Sequence, residues 1–152
     1  MNYWLIKSEP TCYSIDDLKR DKKASWTGVR NYQARNFLKS MKVGDLALFY
    51  HSSATPPAAV GIAKVVKGAQ PDTTAFDKKD DHYDPKSTKE NPIWYAVDFG
   101  FVEKFKEPLT LSQIKINPKL AGMMVTQTGS RLSVQPVSKE HFETIKKLGT
   151  IA

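Results

Sequence analysis

Residues 93–102 read IWYAVDFGFV, and this stretch decides the fold class because it is the clearest β-strand signal in the chain. Large apolar residues stand at every second position from 93 to 101, which is the two-residue period of a strand. Two further apolar runs, LALFY at 46–50 and AVGIAKVV at 59–66, predict strands that pair as an antiparallel hairpin. The sequence therefore predicts a protein built around a β-sheet.

Capping residues predict four helices, which begin near Ser14, Asn31, Thr110 and Ser138. The second helix carries an apolar stripe formed by Ala34, Phe37, Leu38 and Met41. Further strands are expected at 3–7 and at 131–137. The resulting order, β-α-α-β-β-β-α-β-α, predicts an α+β fold with a mostly antiparallel, curved or barrel-like sheet.

Composition points to a water-soluble protein. The chain has 152 residues, which suits one domain over its whole length, and it is 40% hydrophobic and 26% charged. No apolar run reaches the roughly 20 residues of a membrane span. Cys12 has no partner cysteine and the N-terminus lacks a secretory-signal pattern, so we expect a cytoplasmic protein. We expect a monomer that does not bind membranes.

The charge distribution favours a polyanionic partner. The formal net charge is +7, which favours phosphate contacts with nucleic acid, and the basic residues are concentrated at 7–42. Residues 72–92 are mainly acidic and show no periodicity, as is usual for a functional or disordered loop. We expect this loop to be mobile and to lie beside the binding site, as a lid rather than as a phosphate contact.

Few residues suggest catalysis. The three histidines and the one cysteine do not show metal-ligand spacing, and neither a glycine-rich phosphate loop nor a G-x-S-x-G motif is present. We therefore expect no metal, no cofactor and no catalytic residue. Lys7, Ser8 and Glu9 form a compact polar set after an apolar strand, which is either a reactive cluster or a strand end in water.

Several segments together resemble the EVE domain family along nearly the whole chain. They are YWLIKSEP at 3–10, WTGVRNYQARN at 26–36, FYHS at 49–52, VGIA at 60–63, DPK at 84–86, PIW at 92–94 and RLSVQPV at 131–137. The resemblance implies a PUA-like fold, a β-barrel with peripheral helices, that binds modified bases in DNA, particularly modified cytosines. The short chain is similar to the stand-alone bacterial form of the domain.

A looser resemblance connects the chain to YTH domains, which read methylated adenine in RNA. Lys7 and Ser8 resemble the end of the first strand of those domains, where a tryptophan downstream forms one wall of a base cage. Trp26 occupies the comparable place here. Trp26 is also flanked by polar residues, which favours a partly exposed ring that stacks on a base over a ring buried in the core.

The candidate site residues fall into three sets. The residues expected to form a base-binding pocket with Trp26 and to read the edge of the base are Ser8, Glu9, Thr27 and Asn31, with a helix cap as the alternative for Asn31. Three further residues, which leave the buried strand at 46–50 together, are also expected to line the base-binding pocket: Tyr50, His51 and Ser52. The residues expected to bind phosphate are Arg30, Arg35, Arg131 and Lys7. Trp4 and Trp94 are either core or site residues.

Three functions compete at this stage. The leading interpretation is a non-catalytic module that binds nucleic acid carrying a modified base, in DNA or as an RNA reader. The second is a nuclease or hydrolase acting on modified nucleic acid, with Lys7 and Glu9 as its reactive groups. The third is a protein-interaction domain whose tryptophans belong to the core.

Overall fold

The computed structural model describes residues 1–127 and 132–150. In this part of the chain the strands are β1 (Tyr3–Ser8), β2 (Lys23–Trp26), β3 (Leu46–His51), β4 (Ala58–Pro71), β5 (Tyr95–Thr110) and β6 (Val134–Val137). The helices are α1 (Ile15–Asp21), α2 (Tyr32–Ser40), α3 (Leu111–Ile116) and α4 (Lys139–Thr150). Short 3₁₀ helices lie at Thr73–Phe76, Pro118–Leu120 and Met124–Thr126.

The strands form one mixed sheet in the order β2-β5-β4-β3-β1-β6. β1 runs parallel to β3, and the other neighbouring strands are antiparallel. The register between β4 and β5 shifts at several points, and such bulges twist and bend a sheet. The predicted α+β class is therefore confirmed. The sheet does not close into the barrel that was expected, because its two edge strands, each four residues long, do not pair with each other within the described residues.

The two faces of the sheet carry separate apolar clusters. Trp4 and Ile6 of β1 belong to one cluster and Leu5 to the other, as strand alternation requires. Helices α1 and α2 cover the first face, and α3 and α4 cover the second. Trp4 is buried and its Nε1 donates to Asp45 Oδ2 at 3.1 Å, so of the two alternatives for this residue the structure supports the core.

Local signals predicted the helix starts well. Ser14 and Asp17 form a capping box, and Asn31 and Thr110 cap α2 and α3. The predicted hairpin is the β3–β4 pair. Strand β2 was not predicted, because its four residues, KASW, show only a short alternation that ends in polar loops. Strand β5 extends further along the chain than predicted, because its pairing with β4 continues past residue 102 to Thr110.

Candidate functional site

A cavity of about 580 Å³ opens beside the edge strand β2, at the carboxyl end of β1. Its lining comes from the end of β1 and the turn after it, from β2, from the turn at 27–30, and from one residue each of two distant segments, His82 and Ser133. Six of the predicted site residues share this lining: Lys7, Ser8, Glu9, Trp26, Thr27 and Arg30. The structure therefore brings together residues that lie far apart in the sequence.

Trp26 is half-buried and stands in the cavity wall. Its ring makes edge-to-face contacts with Phe49 and Phe99, each with ring centroids 5.6 Å apart, and with Tyr13 at 6.5 Å. The two alternatives for this residue are thus combined, because the core fixes one side of the ring while the cavity exposes another. A ring held in this way loses little freedom when it stacks on a ligand.

The polar part of the lining is supplied by the end of β1. The hydroxyl of Ser8 donates to the carbonyl of Tyr13 at 2.6 Å, which leaves its oxygen free to accept. Glu9 is exposed, and its Oε2 accepts from Cys12 Sγ at 3.8 Å. Burial lowers the pKa of Lys7, so this ammonium holds its proton less strongly than a lysine in water. Donors and acceptors therefore line the same wall.

Gly28 allows a close approach that sequence reasoning missed. Its φ of +81° lies in the left-handed region, and a Cβ at this position would come within 2.8 Å of the His82 ring. The imidazole of His82 consequently packs against the backbone of the turn that follows Trp26. No local sequence signal indicates this contact, because His82 lies in an acidic loop 54 residues further along the chain.

The acidic loop is fastened to this turn by Asp72. The carboxylate is fully buried, and its Oδ2 accepts from the Gly28 backbone N–H at 2.8 Å and from Arg30 Nη1 at 3.0 Å. Burial alone would raise the pKa of Asp72, but hydrogen bonds from Thr74, Gly28 and Arg30 hold it below its usual range. Asp72 is therefore an ionised anchor.

Further bonds order the rest of the loop. Arg30 Nη2 donates to the carbonyl of His82 at 2.6 Å, and Trp94 Nε1 donates to Asp84 Oδ2 at 2.7 Å. Ser87 is buried, and its Oγ accepts from the Ile93 N–H at 2.9 Å. The loop lies beside the cavity as expected, but this network favours an ordered segment over the mobile one that the sequence predicts. Trp94 is buried and does not line the cavity, so its role is to hold the loop in this network.

Two of the predicted phosphate-binding arginines have engaged guanidinium groups. All three nitrogens of Arg30 donate to the protein, to Asp72, Thr74, Val29 and His82. Arg35 lies over the Tyr32 ring at 4.9 Å and donates to the carbonyl of Ile93 and to Asn36. Arg30 lines the cavity and Arg35 does not. Arg131 lies outside the described residues.

Four other predicted pocket residues do not line the cavity. Asn31 caps α2 by accepting from the Ala34 N–H, so the cap was the correct alternative. Tyr50 is buried in the apolar cluster on the opposite face, and this burial raises its pKa. His51 Nε2 accepts from the Ile15 N–H at 3.1 Å, and burial lowers the pKa of this histidine. Ser52 donates its N–H to the carbonyl of Ser8, so it braces the strand end.

Two further observations concern the described residues only. No three His, Cys, Asp or Glu side chains are grouped so that they could hold a metal ion. Among residues 1–127 and 132–150, no helix has the length and apolar character to cross a membrane.

Comparison with known families agrees with this architecture. The model of the EVE domain matches residues 2–148. The chain belongs to the EVE domain family. Thymocyte nuclear protein 1 from Gallus gallus is 46% identical over 165 residues, which cover 96% of this EVE domain chain and 68% of the relative. The Homo sapiens protein of the same name is 43% identical, with 97% and 73% covered.

Solved structures are similar over the whole EVE domain. A protein from Pseudomonas syringae is 51% identical with a TM-score of 0.92, covering 96% of this chain and 98% of that one. Human thymocyte nuclear protein 1, in complex with DNA containing 5-methylcytosine, is 40% identical with a TM-score of 0.91, covering 100% and 99%. The PUA-like α+β fold that the resemblance implied is therefore confirmed.

Proposed function

We propose that this EVE domain recognises a modified cytosine in DNA and receives the extruded base in the cavity beside Trp26. The observation that carries the proposal is the similarity, over the whole chain, to a human protein solved with DNA containing 5-methylcytosine. The cavity volume of about 580 Å³ supports it, because ligand pockets typically measure about 300–1,000 Å³.

Trp26 supplies the stacking surface in this proposal. A base must leave the helix before a protein can enclose it, and stacking on an aromatic ring recovers about 1–3 kcal/mol of that cost. The contacts with Phe49 and Phe99 keep the Trp26 ring oriented before the base arrives. His82 lines the neighbouring part of the wall, where its ring packs against Gly28.

The end of β1 supplies the groups that read the base edge. The Glu9 carboxylate accepts from the exocyclic amine of cytosine, which is the pairing expected for an acidic residue and this base. Ser8 offers an acceptor and Lys7 a donor on the same wall. Thr27 is exposed at the rim, where its hydroxyl is available. The support for these roles is that all four residues line the same cavity.

Binding assays with matched oligonucleotides test the proposal. Duplexes with one 5-methylcytosine, and identical duplexes with cytosine, are titrated against the protein at two salt concentrations. We expect tighter binding to the methylated duplex at both concentrations, because stacking and hydrogen bonding in a pocket are less sensitive to salt than phosphate contacts. Equal affinity for the two duplexes would contradict the proposal. RNA strands of the same sequence establish whether the domain also binds RNA.

The domain binds without altering its ligand in this proposal. The alternative, a nuclease or hydrolase using Lys7 and Glu9, is supported by the lowered pKa of Lys7, since a less basic amine is a better nucleophile at neutral pH. Mass spectrometry of the methylated oligonucleotide after long incubation separates the two. We expect an unchanged mass, and a cleaved strand or a missing base would reject the non-catalytic proposal.

A monomer in the cytoplasm, with access to the nucleoid, completes the proposal. Sedimentation of the free protein and of the DNA complex is expected to give one chain per bound oligonucleotide. Cell fractionation tests the location.

A further inference from the structure

A protein that takes one base from DNA also has to hold the neighbouring backbone. The sequence assigned this task to three arginines and Lys7. Arg30 and Arg35 donate to acceptors of their own chain, Lys7 lines the cavity itself, and Arg131 lies outside the described residues. Phosphate contacts need cations that are not already paired, because a cation neutralised by a carboxylate releases few counterions from DNA. The remaining basic side chains are therefore the candidates for the backbone contact.

A second concavity, of about 720 Å³, lies beside the other end of strand β2. Its lining includes four lysines, Lys22, Lys23, Lys64 and Lys67, and we call it the lysine groove. None of the four forms an ion pair with any residue that the structure describes. All four side chains are exposed, so their ammonium groups are available to an incoming anion.

The strand register explains why this groove is open. Lys23 of β2 lies opposite Gly100 of β5, and Gly100 lies opposite Lys64 of β4. The three residues form a row across the sheet with two lysines flanking a glycine, roughly 10 Å apart at about 4.8 Å per strand. A Cβ at Gly100 would meet Val66 Cγ1 at 2.9 Å, so a side chain there would fill the floor.

The acidic residues of the groove have their own partners. Asp21 accepts from Tyr13 and from Arg20, and Asp98 accepts from Gln70 Nε2 at 3.1 Å. Four lysines thus face two carboxylates that are already hydrogen-bonded, so the groove is positive overall. Lysine ammonium groups bind phosphate as mobile point charges, which suits a backbone contact that carries no sequence information.

The groove and the cavity share one short strand. Lys23 and Trp26 are the first and last residues of β2, which puts their Cα atoms roughly 10 Å apart at 3.3 Å per residue. The two side chains point to opposite faces of β2, but β2 is an edge strand, so a DNA strand that passes over this edge meets both. Adjacent phosphates of one DNA strand advance about 3.4 Å along the helix, so Lys23 is within a few nucleotides of the extruded base. We propose that the lysine groove binds the DNA backbone flanking the base held beside Trp26, an inference that rests on the function proposed above.

The test compares two variants with the same reduction of charge. The groove variant carries Lys22→Gln, Lys23→Gln, Lys64→Gln and Lys67→Gln. The control carries Lys115→Gln, Lys119→Gln, Lys146→Gln and Lys147→Gln, which are exposed lysines in and around α3 and α4. Fluorescein-labelled 12-base-pair duplexes, with and without one 5-methylcytosine, are titrated at several salt concentrations.

The groove variant should bind both duplexes more weakly by the same factor, roughly tenfold or more at low salt, with the preference for 5-methylcytosine unchanged. Its plot of log affinity against log salt should become shallower by about one unit for every phosphate that the variant no longer binds. The control should keep most of the wild-type slope. Equal slopes for the groove and control variants would overturn the inference.

Two further results keep the outcomes distinct. Replacing the same four lysines by arginine should retain the wild-type salt slope. If the quadruple glutamine variant folds poorly, two double variants take its place, Lys22→Gln with Lys23→Gln and Lys64→Gln with Lys67→Gln. Each double variant should show part of the decrease in affinity and slope. A wild type that binds both duplexes equally, with a slope that the groove variant reduces, would reject modified-cytosine recognition and support the groove. Poly-glutamate that binds the wild type as tightly as DNA does would overturn the groove's assignment to DNA.

Discussion

The cavity and the lysine groove lie beside the same strand, yet they differ in how firmly the protein holds their side chains. In the cavity, Arg30 is locked by Asp72 and by backbone carbonyls, and Trp26 is fixed by two phenylalanines. In the groove, the lysines are exposed and unpaired with any described residue. Rigid groups discriminate between similar ligands, whereas mobile charges attract any polyanion. In the DNA complex proposed above, selectivity and general affinity would therefore come from opposite ends of one four-residue strand.

Removing the Asp72 carboxylate should have the largest effect on the stability of the cavity. In Asp72→Ala the Arg30 guanidinium and the Gly28 N–H lose their buried partner, and breaking such a pair costs about 3–5 kcal/mol of unfolding free energy. We expect this decrease in urea denaturation, together with loss of preference for the methylated duplex. Asp77→Ala, an exposed carboxylate in the same loop, should cost less than about 1 kcal/mol. A stable Asp72→Ala protein would show that the loop does not depend on this anchor.

Trp26→Ala should separate the two regions. Loss of the stacking surface should weaken binding of the methylated duplex by about 1–3 kcal/mol, roughly tenfold to a hundredfold. Because the lysine groove is untouched, the salt dependence should stay that of the wild type. Trp26 also contacts Phe49 and Phe99, so the substitution should lower the free energy of unfolding measured by thermal unfolding. The decrease should be smaller than the roughly 3–5 kcal/mol lost when a fully buried tryptophan is replaced by alanine. Trp26→Phe, which keeps a stacking ring, is the control, and full discrimination by Trp26→Ala would count against the cavity.

Gly28→Ala should narrow the opening of the cavity. The left-handed backbone alone costs a residue with a Cβ about 1–2 kcal/mol, and the new methyl group would displace the His82 ring. We expect a modest loss of stability and altered selectivity among cytosine modifications of different size. Gly44→Ala has a similar positive φ with nothing near its Cβ, so it reports the backbone cost alone. Identical selectivity in the two variants would mean that His82 does not shape the opening.

The smallest expected effect is a pH dependence of stability. The pKa of Asp72 is lower in the folded protein than its ordinary value of 3.8, so between the two values the unfolded chain binds more protons. The stabilisation from Asp72 is therefore fully present above the unfolded pKa and is lost as pH falls through the folded pKa. Unfolding free energy should fall more steeply from about pH 5 to about pH 3 in the wild type than in Asp72→Asn. Parallel curves would show that Asp72 is not an ionised anchor.

Features encoded by neighbouring residues were predictable, and those created by distant contacts were not. The caps at Ser14, Asn31 and Thr110 follow from side chains that reach a backbone N–H three residues away. Strand β2 is too short to show a period, and it exists because β5 offers it a hydrogen-bonding edge. The long extension of β5 likewise depends on its pairing with β4.

The candidate site shows the same limit. Trp26, Ser8 and Glu9 were found from strand ends and polar flanks, together with the family resemblance, and they do share a cavity. His51 and Tyr50 were misplaced because the exit of a strand does not reveal which face of the sheet its side chains meet. The partnership of Arg30 with Asp72 spans 42 residues, and a basic residue next to a tryptophan looks the same in the sequence whether or not it is paired.

The contact between Gly28 and His82 has a consequence for altering the domain. The imidazole is half exposed and borders the cavity, while Asp72 and Arg30 hold the surrounding loop through other atoms. Position 82 can therefore be exchanged without disturbing either apolar cluster. Substituting position 82 with side chains of different size should give a series of variants that share one fold and differ in the space beside Gly28. Reagents for different cytosine modifications would be selected from this series.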